Sequence, residues 1–183
     1  MSVNKNDYSY LDQLTLQPEK WDDLNKNEVQ VMVFRACYLY GESRNKHMIS
    51  ALFQLYEYLQ SHSTSMERTK MLTALSATIR KKNPRAIMAL FPFIQVEEDG
   101  EVIRTASQFF VNLSVLSNKE YQSGANILIE LIQDAPKDSK SAYIILGLLD
   151  VDNKKIKQHL RLLKNNLGSE VLGILYNNGI QLQ

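Results

Sequence analysis

The strongest constraint on this chain is a recurrence of paired helical patterns at intervals of about 35 residues. Three consecutive stretches, which begin near Pro84, Lys119 and Asn153, each have apolar residues at the spacing of two short helices. A helix pair of this size cannot bury its apolar face alone, so such pairs stack against their neighbours. The recurrence therefore predicts an α-solenoid, a class of fold that typically presents binding surfaces and rarely performs chemistry.

The rest of the chain extends this helical pattern. From Glu28 onward, apolar residues recur at steps of three and four, which is the period of one helix face, and no strand-like alternation competes with it. The sequence predicts an all-α fold of about nine helices, arranged as antiparallel pairs in a right-handed superhelical stack. Residues 1–26 are predicted to form a polar, partly ordered segment, and 27–183 a single helical-repeat domain. A bundle of helices around one common centre is the alternative.

Two helix starts can be predicted from local chemistry. Thr64 followed by Glu67 has the spacing of a capping box, in which each side chain accepts from the other residue's backbone N–H. Asn83-Pro84 combines a capping side chain with a proline at the first helical position, where the missing N–H is no loss. A short helix is also predicted at Asp7–Leu16.

Within residues 87–183, which are about half of the chain, two stretches have a more specific pattern. Residues 87–113 begin with an apolar helix that contains a proline, followed by an Asp, a Val and an Arg around a turn: Asp99, Val102 and Arg104. Residues 127–149 end with four regularly placed small and apolar residues: Ala142, Leu146, Gly147 and Leu149. Ala106 to Ala142 and Leu113 to Leu149 are each 36 residues apart, so the two stretches are in register.

This pattern resembles that of the HEAT repeat family. The resemblance implies stacked antiparallel helix pairs that bind a partner along their surface. Small residues allow the helices of such a stack to approach closely, and the sequence offers four at suitable places: Ala106, Ala142, Gly147 and Gly173.

Composition excludes several classes of protein. The chain has 183 residues, 44% of them apolar, and a net charge of +1, which is not the charge of a general polyanion binder. No window approaches the run of about 18 apolar residues that a membrane span requires. A single cysteine excludes an internal disulfide framework, and the N-terminus lacks an apolar signal segment. These features predict a cytoplasmic protein.

The sequence offers little that indicates catalysis. Cys37 with His47 or His62 as a base is the one candidate nucleophile, yet Cys37 falls on an apolar helical stripe typical of a core residue. The histidines, including His159, lack the spacing of metal ligands, and no phosphate loop occurs. We therefore expect that the chain is not an enzyme and has no catalytic residue, metal or cofactor. The third hypothesis, after protein binding and nucleic-acid binding, is an enzyme of unfamiliar type with Cys37 and His47 in an open pocket.

The N-terminal half is rich in large aromatic residues: Trp21, Phe34, Tyr38, Tyr40, Phe53, Tyr56 and Tyr58. Residues two apart on a helix point about 200° away from each other, so two tyrosines at that spacing cannot share one stripe. Unless the helices are enclosed on all sides, one tyrosine of each pair reaches the surface, where tyrosine is a favoured interface anchor. The predicted partner-binding residues are Tyr38, Tyr40, Tyr56 and Tyr58.

A basic helix is predicted from Asn153, with five cations and no acid up to Asn166: Lys154, Lys155, Lys157, Arg161 and Lys164. It could meet phosphates, anionic lipid or an acidic partner, or be a solvated face alone. The favoured function is a non-enzymatic adaptor, inhibitor or regulatory subunit that binds a protein partner. Some HEAT-like proteins, including alkylpurine DNA glycosylases, hold DNA in a basic groove, so nucleic-acid binding through this helix is the alternative.

Overall fold

The structure is a computed structural model that describes residues 13, 16–43, 46–82, 89–116, 124–151 and 153–182. In residues 37–43, 46–50, 78–82 and 113–116 it describes the helical backbone alone. Every regular element among the described residues is helical, which confirms the all-α prediction. The α-helices are α1 Lys26–Ser43, α2 Lys46–His62, α3 Ser65–Lys82, α4 Leu90–Val96, α5 Gly100–Leu116, α6 Gly124–Asp134, α7 Ser139–Leu149, α8 Lys154–Leu163 and α9 Ser169–Asn177.

Two short 3₁₀ helices complete the described elements, at Pro18–Asp23 and Lys164–Asn166. The chain forms two compact units, Met1–Val96 and Glu97–Gln183, called unit 1 and unit 2 below. The division predicted at residue 26 is a different one and stays a prediction.

In unit 1, α1 packs against α2 and α3, and α2 also packs against α3 and α4. The apolar stripe of each helix faces these contacts, so that Met32, Leu52 and Leu72 are completely buried. Tyr56 belongs to this core, since its hydroxyl donates to the Ala89 carbonyl oxygen at 2.9 Å. Its ring meets the edge of Phe93 with centroids 4.5 Å apart. The Tyr56 hydroxyl is thus a buried polar group whose hydrogen bond is satisfied.

The predicted capping box at the start of α3 is confirmed. The Glu67 N–H donates to Thr64 Oγ1 at 3.3 Å, and the Thr64 N–H donates to Glu67 Oε2 at 2.9 Å. Asn25 and Glu28 form the same reciprocal arrangement at the start of α1. The predicted start at Asn83-Pro84 lies outside the described residues, as does most of the helix predicted at Asp7–Leu16.

In unit 2, α5, α6 and α7 each contact both the next helix and the helix after that. α5 packs against α6 and α7, α6 against α7 and α8, and α7 against α8 and α9. An ion pair reinforces this order, because Arg104 of α5 donates from Nε to Asp150 Oδ2 at 2.8 Å and from a terminal nitrogen to Oδ1 at 3.0 Å. The Asp150 carboxylate raises the pKa of Arg104, against a smaller opposing effect of burial.

The crossing of α5 and α7 depends on Gly147. A Cβ atom there would overlap the Arg104 carbonyl oxygen and lie 2.8 Å from the Ser107 Cβ, which is too close for a real contact. Ala106 and Ala142 are buried, in keeping with the predicted close approach of these helices. The same prediction was wrong for Gly173, because its position on α9 is exposed and a Cβ there would meet nothing within 4 Å.

We predict opposite effects of alanine at these two glycines. Gly147→Ala forces α5 and α7 apart, and such overpacking lowers the free energy of unfolding by about 1–3 kcal/mol. Gly173→Ala meets no neighbour and gains helix propensity, which raises the free energy of unfolding by about 1 kcal/mol. Urea unfolding followed by circular dichroism measures both changes. A Gly147→Ala protein as stable as the Gly173→Ala protein would contradict the tight crossing.

The α5–α7 crossing also buries Ser107, whose Oγ has no hydrogen-bond partner among the described residues. We predict that Ser107→Ala leaves the free energy of unfolding unchanged or raises it by up to about 1 kcal/mol, because an unsatisfied hydroxyl is removed. Ser141 is the matched control, since it is equally buried but donates to the Ala135 carbonyl oxygen at 2.7 Å. Ser141→Ala is expected to lose about 1–2 kcal/mol. Equal losses in both variants would disprove the distinction.

Candidate functional site

The first candidate site is a surface cleft of unit 1 beside Tyr58. It contains about 60 Å³ of free space, which suits one side chain of a partner, whereas cofactors and drug-sized molecules occupy larger pockets. We name it the Tyr58 cleft, and its lining residues are Leu24, Lys26, Val29, Gln30, Tyr58, Leu59, His62, Ser63 and Glu67. Its lining is mainly apolar, and its two charged residues, Lys26 and Glu67, belong to α1 and α3.

An aromatic cluster forms one wall of the cleft and holds Tyr58 in place. The Tyr58 ring stacks on His62 with centroids 4.0 Å apart and meets the edge of Trp21 at 5.6 Å. The Tyr58 hydroxyl donates to the Trp21 carbonyl oxygen at 3.2 Å, which links α2 to the first 3₁₀ helix. Burial, and secondarily the negative charge of Asp22, raise the pKa of Tyr58. The tyrosine is therefore a neutral, oriented and half-buried ring.

An ion pair stands at the edge of the cleft. Lys26 Nζ of α1 lies 2.8 Å from Glu67 Oε1 of α3, and the two side chains are 70% and 35% exposed. The hydrogen bond from Lys26, together with those from Thr64, lowers the pKa of Glu67 to about 2. The same carboxylate thus closes the capping box with one oxygen and binds Lys26 with the other.

We predict a pH dependence of stability from Glu67. Because folding lowers this pKa from 4.5 to about 2, the ionised carboxylate stabilises the folded state fully above about pH 4.5. That contribution is lost as the pH falls from about 4.5 to about 2. Glu67→Gln should therefore be less stable than wild type at pH 6, and most of this difference should be lost by about pH 2, as measured by urea unfolding with the fluorescence of the buried Trp21.

Glu57→Gln is the control for this comparison, because Glu57 is an exposed glutamate of α2 with no ion pair to any described residue. Salt should reduce the difference between wild type and Glu67→Gln, since the pair is exposed. A difference that stays constant from pH 6 to pH 2 would contradict the assignment.

Of the four predicted partner-binding tyrosines, the structure brings Tyr58 to the surface and buries Tyr56. The two lie on different faces of α2, as their spacing predicts, but Tyr56 is only 2% exposed. Its predicted role in partner binding requires an accessible ring, so this residue must be corrected to a core position. The side chains of Tyr38 and Tyr40 lie outside the described residues, and their roles stay predictions.

The second candidate site is α8 in unit 2. The Asn153 side chain caps this helix by accepting from the Lys155 N–H at 2.9 Å. Ile156, Leu160 and Leu163 are buried against the unit, and four of the five predicted basic residues are exposed: Lys154, Lys155, Arg161 and Lys164. Lys157 is half-buried. Leu162 was not predicted as part of this basic face, yet its side chain is 73% exposed there.

Other kinds of site find little support in the part of the chain that the structure describes. No group of three or more His, Cys, Asp or Glu side chains is placed to hold a metal ion there. No described helix is long and apolar enough to cross a membrane. The side chains of Cys37 and His47 lie outside the described residues, so the hypothesis that pairs them stays open.

Three comparisons with known proteins found no relative of this chain. Profiles of protein families, curated protein sequences and solved structures all return no match to this chain. The resemblance to HEAT repeats therefore stays a prediction, and the function must be argued from the two surfaces themselves.

Proposed function

We propose that this chain is a protein-interaction module without catalytic activity, acting as an adaptor, an inhibitor or a regulatory subunit. In this proposal its helices form antiparallel pairs of the HEAT type that stack in a right-handed superhelix. Support comes from the order of contacts in unit 2, where α5 packs on α7, α6 on α8 and α7 on α9. Contact between helices two apart in sequence is what stacked pairs require.

A second line of support is the polar contact between successive pairs. The Arg104–Asp150 ion pair joins α5 of one proposed pair to the end of α7 in the next. Gly147 lies at the same α5–α7 contact. Both features belong to the two stretches whose sequence resembles HEAT repeats.

The observation that carries the binding function is the Tyr58 cleft. A partner can insert one apolar side chain between the Tyr58 ring and the apolar floor formed by Leu24, Val29 and Leu59. Tyrosine is enriched at the energetic centres of interfaces. The contacts of Tyr58 with Trp21 and His62 hold its ring before any partner arrives, which reduces the entropy lost on binding. Lys26 and Glu67 offer polar contacts at the edge.

We predict that partner binding depends on Tyr58. The purified chain and its variants are used to capture proteins from the native host, and the affinity of each captured protein is then measured by titration. Tyr58→Ala should lower the affinity for the true partner at least about tenfold, as expected for a central interface tyrosine. Gln30→Trp, which fills the cleft and keeps Tyr58, should lower this affinity as well.

Tyr176→Ala is the matched control, because Tyr176 is 68% exposed but belongs to unit 2. Circular dichroism and thermal melting establish that each variant is folded. Two results would refute the proposal: a folded, monodisperse wild-type chain that captures no protein, or captured proteins whose affinity is unchanged by both cleft variants.

A further inference from the structure

A second surface, on α8 of unit 2, concentrates positive charge. Residues 97–183 contain nine lysines and arginines and eleven acids, yet five of those nine cations fall within residues 154–164. The exposed members are Lys154, Lys155, Arg161 and Lys164, and none has an acidic partner among the described residues. We name Lys154, Lys155 and Arg161 together with Leu162 the α8 face; Lys164 is two residues from Leu162 and points to another side of the helix.

Leu162 lies between two rows of polar side chains on this face. Residues three and four apart are neighbours along a helix, so Lys154, Gln158 and Arg161 form one row, and Lys155 and His159 form the other. Leu162 follows Gln158 by four residues and His159 by three, which places it between the rows. All five row residues are exposed, and the Leu162 side chain is 73% exposed.

We infer that the α8 face binds an acidic protein segment whose carboxylates surround one apolar side chain. The carboxylates pair with Lys154 and Arg161 on one side and with Lys155 on the other, while the apolar side chain covers Leu162. The ion pairs provide fast association and the correct register, and the covered leucine provides burial of apolar surface. This inference concerns unit 2 alone and does not depend on the Tyr58 cleft.

The charge distribution favours an acidic protein segment over the other anionic partners. The acids of unit 2 outnumber its cations, so the positive field is local, whereas a nucleic acid requires a concentrated basic surface over several phosphates. The buried positions of α8 are Ile156, Leu160 and Leu163, so its apolar stripe is not available to a bilayer. A segment with a few carboxylates around one apolar side chain matches both the small extent of the charge and the exposed leucine.

The experiment measures binding of the whole chain to a fluorescein-labelled helical probe peptide by fluorescence anisotropy. The probe has four glutamates around one central leucine, and two sister peptides replace either that leucine or all four glutamates by glutamine. The probe is expected to bind, to bind more weakly as salt is raised, and to bind more tightly than either sister peptide. Failure of the probe to bind at low salt would overturn the inference.

Two variants test the two parts of the surface separately. The double variant Lys154→Glu/Arg161→Glu should lower the affinity for the probe about tenfold, because two electrostatic attractions become repulsions. Leu162→Gln should lower the affinity for the probe severalfold. It should leave unchanged the affinity for the sister peptide in which glutamine replaces the central leucine. The control is Lys20→Glu with Lys70→Glu, which changes the net charge equally at exposed positions of unit 1.

Two further outcomes would overturn the inference. The first is an equal loss of affinity in the Lys20/Lys70 control, since binding would then follow net charge alone. The second is tighter binding of duplex DNA or of phosphatidylserine vesicles than of the probe peptide at an ionic strength of about 0.15 M. In that case the α8 face would be assigned to phosphate groups instead.

Discussion

The structure of unit 2 depends on the close crossing of α5 and α7. Gly147 allows the backbone of α7 to lie directly on the Arg104 carbonyl oxygen, and the Arg104 side chain reaches Asp150 beyond the end of α7. With this crossing established, α7 becomes the central helix, in contact with α5, α6, α8 and α9. The buried stripe of α8 then faces the unit, and this arrangement turns the lysines and Arg161 outward.

Unit 1 separates two neighbouring tyrosines into different roles. The Tyr56 hydroxyl donates a hydrogen bond to the Ala89 carbonyl oxygen inside the core, whereas Tyr58 lines the surface cleft. Both belong to one helix, and a rotation of about 200° between them places one ring in the core and the other beside the cleft. The Tyr58 cleft and the α8 face are therefore different kinds of surface, the first mainly apolar and preformed, the second mainly electrostatic.

Local chemistry made some of these features predictable. The capping box of Thr64 and Glu67 involves residues three apart, so its geometry follows from the sequence. The apolar stripe of α8 was likewise predictable, because Ile156, Leu160 and Leu163 follow one another at steps of four and three residues. Trp21 shows the limit, because it falls in a segment predicted to be polar and partly ordered, yet it is 3% exposed and contacts Tyr58, 37 residues away. The Lys26–Glu67 pair joins residues 41 apart and left no signal in the sequence.

The sequence alone determined the helical class of the chain, its caps and the apolar side of each helix, because these depend on periods and contacts within a few residues. Tertiary packing decided which residues of these helices are covered by a neighbouring element and which are accessible. Tyr56 and Gly147 became buried where another helix crosses them, whereas Gly173 and Leu162 stayed exposed because no described element covers them. Such crossings join positions far apart in the chain, and no local pattern records where they fall.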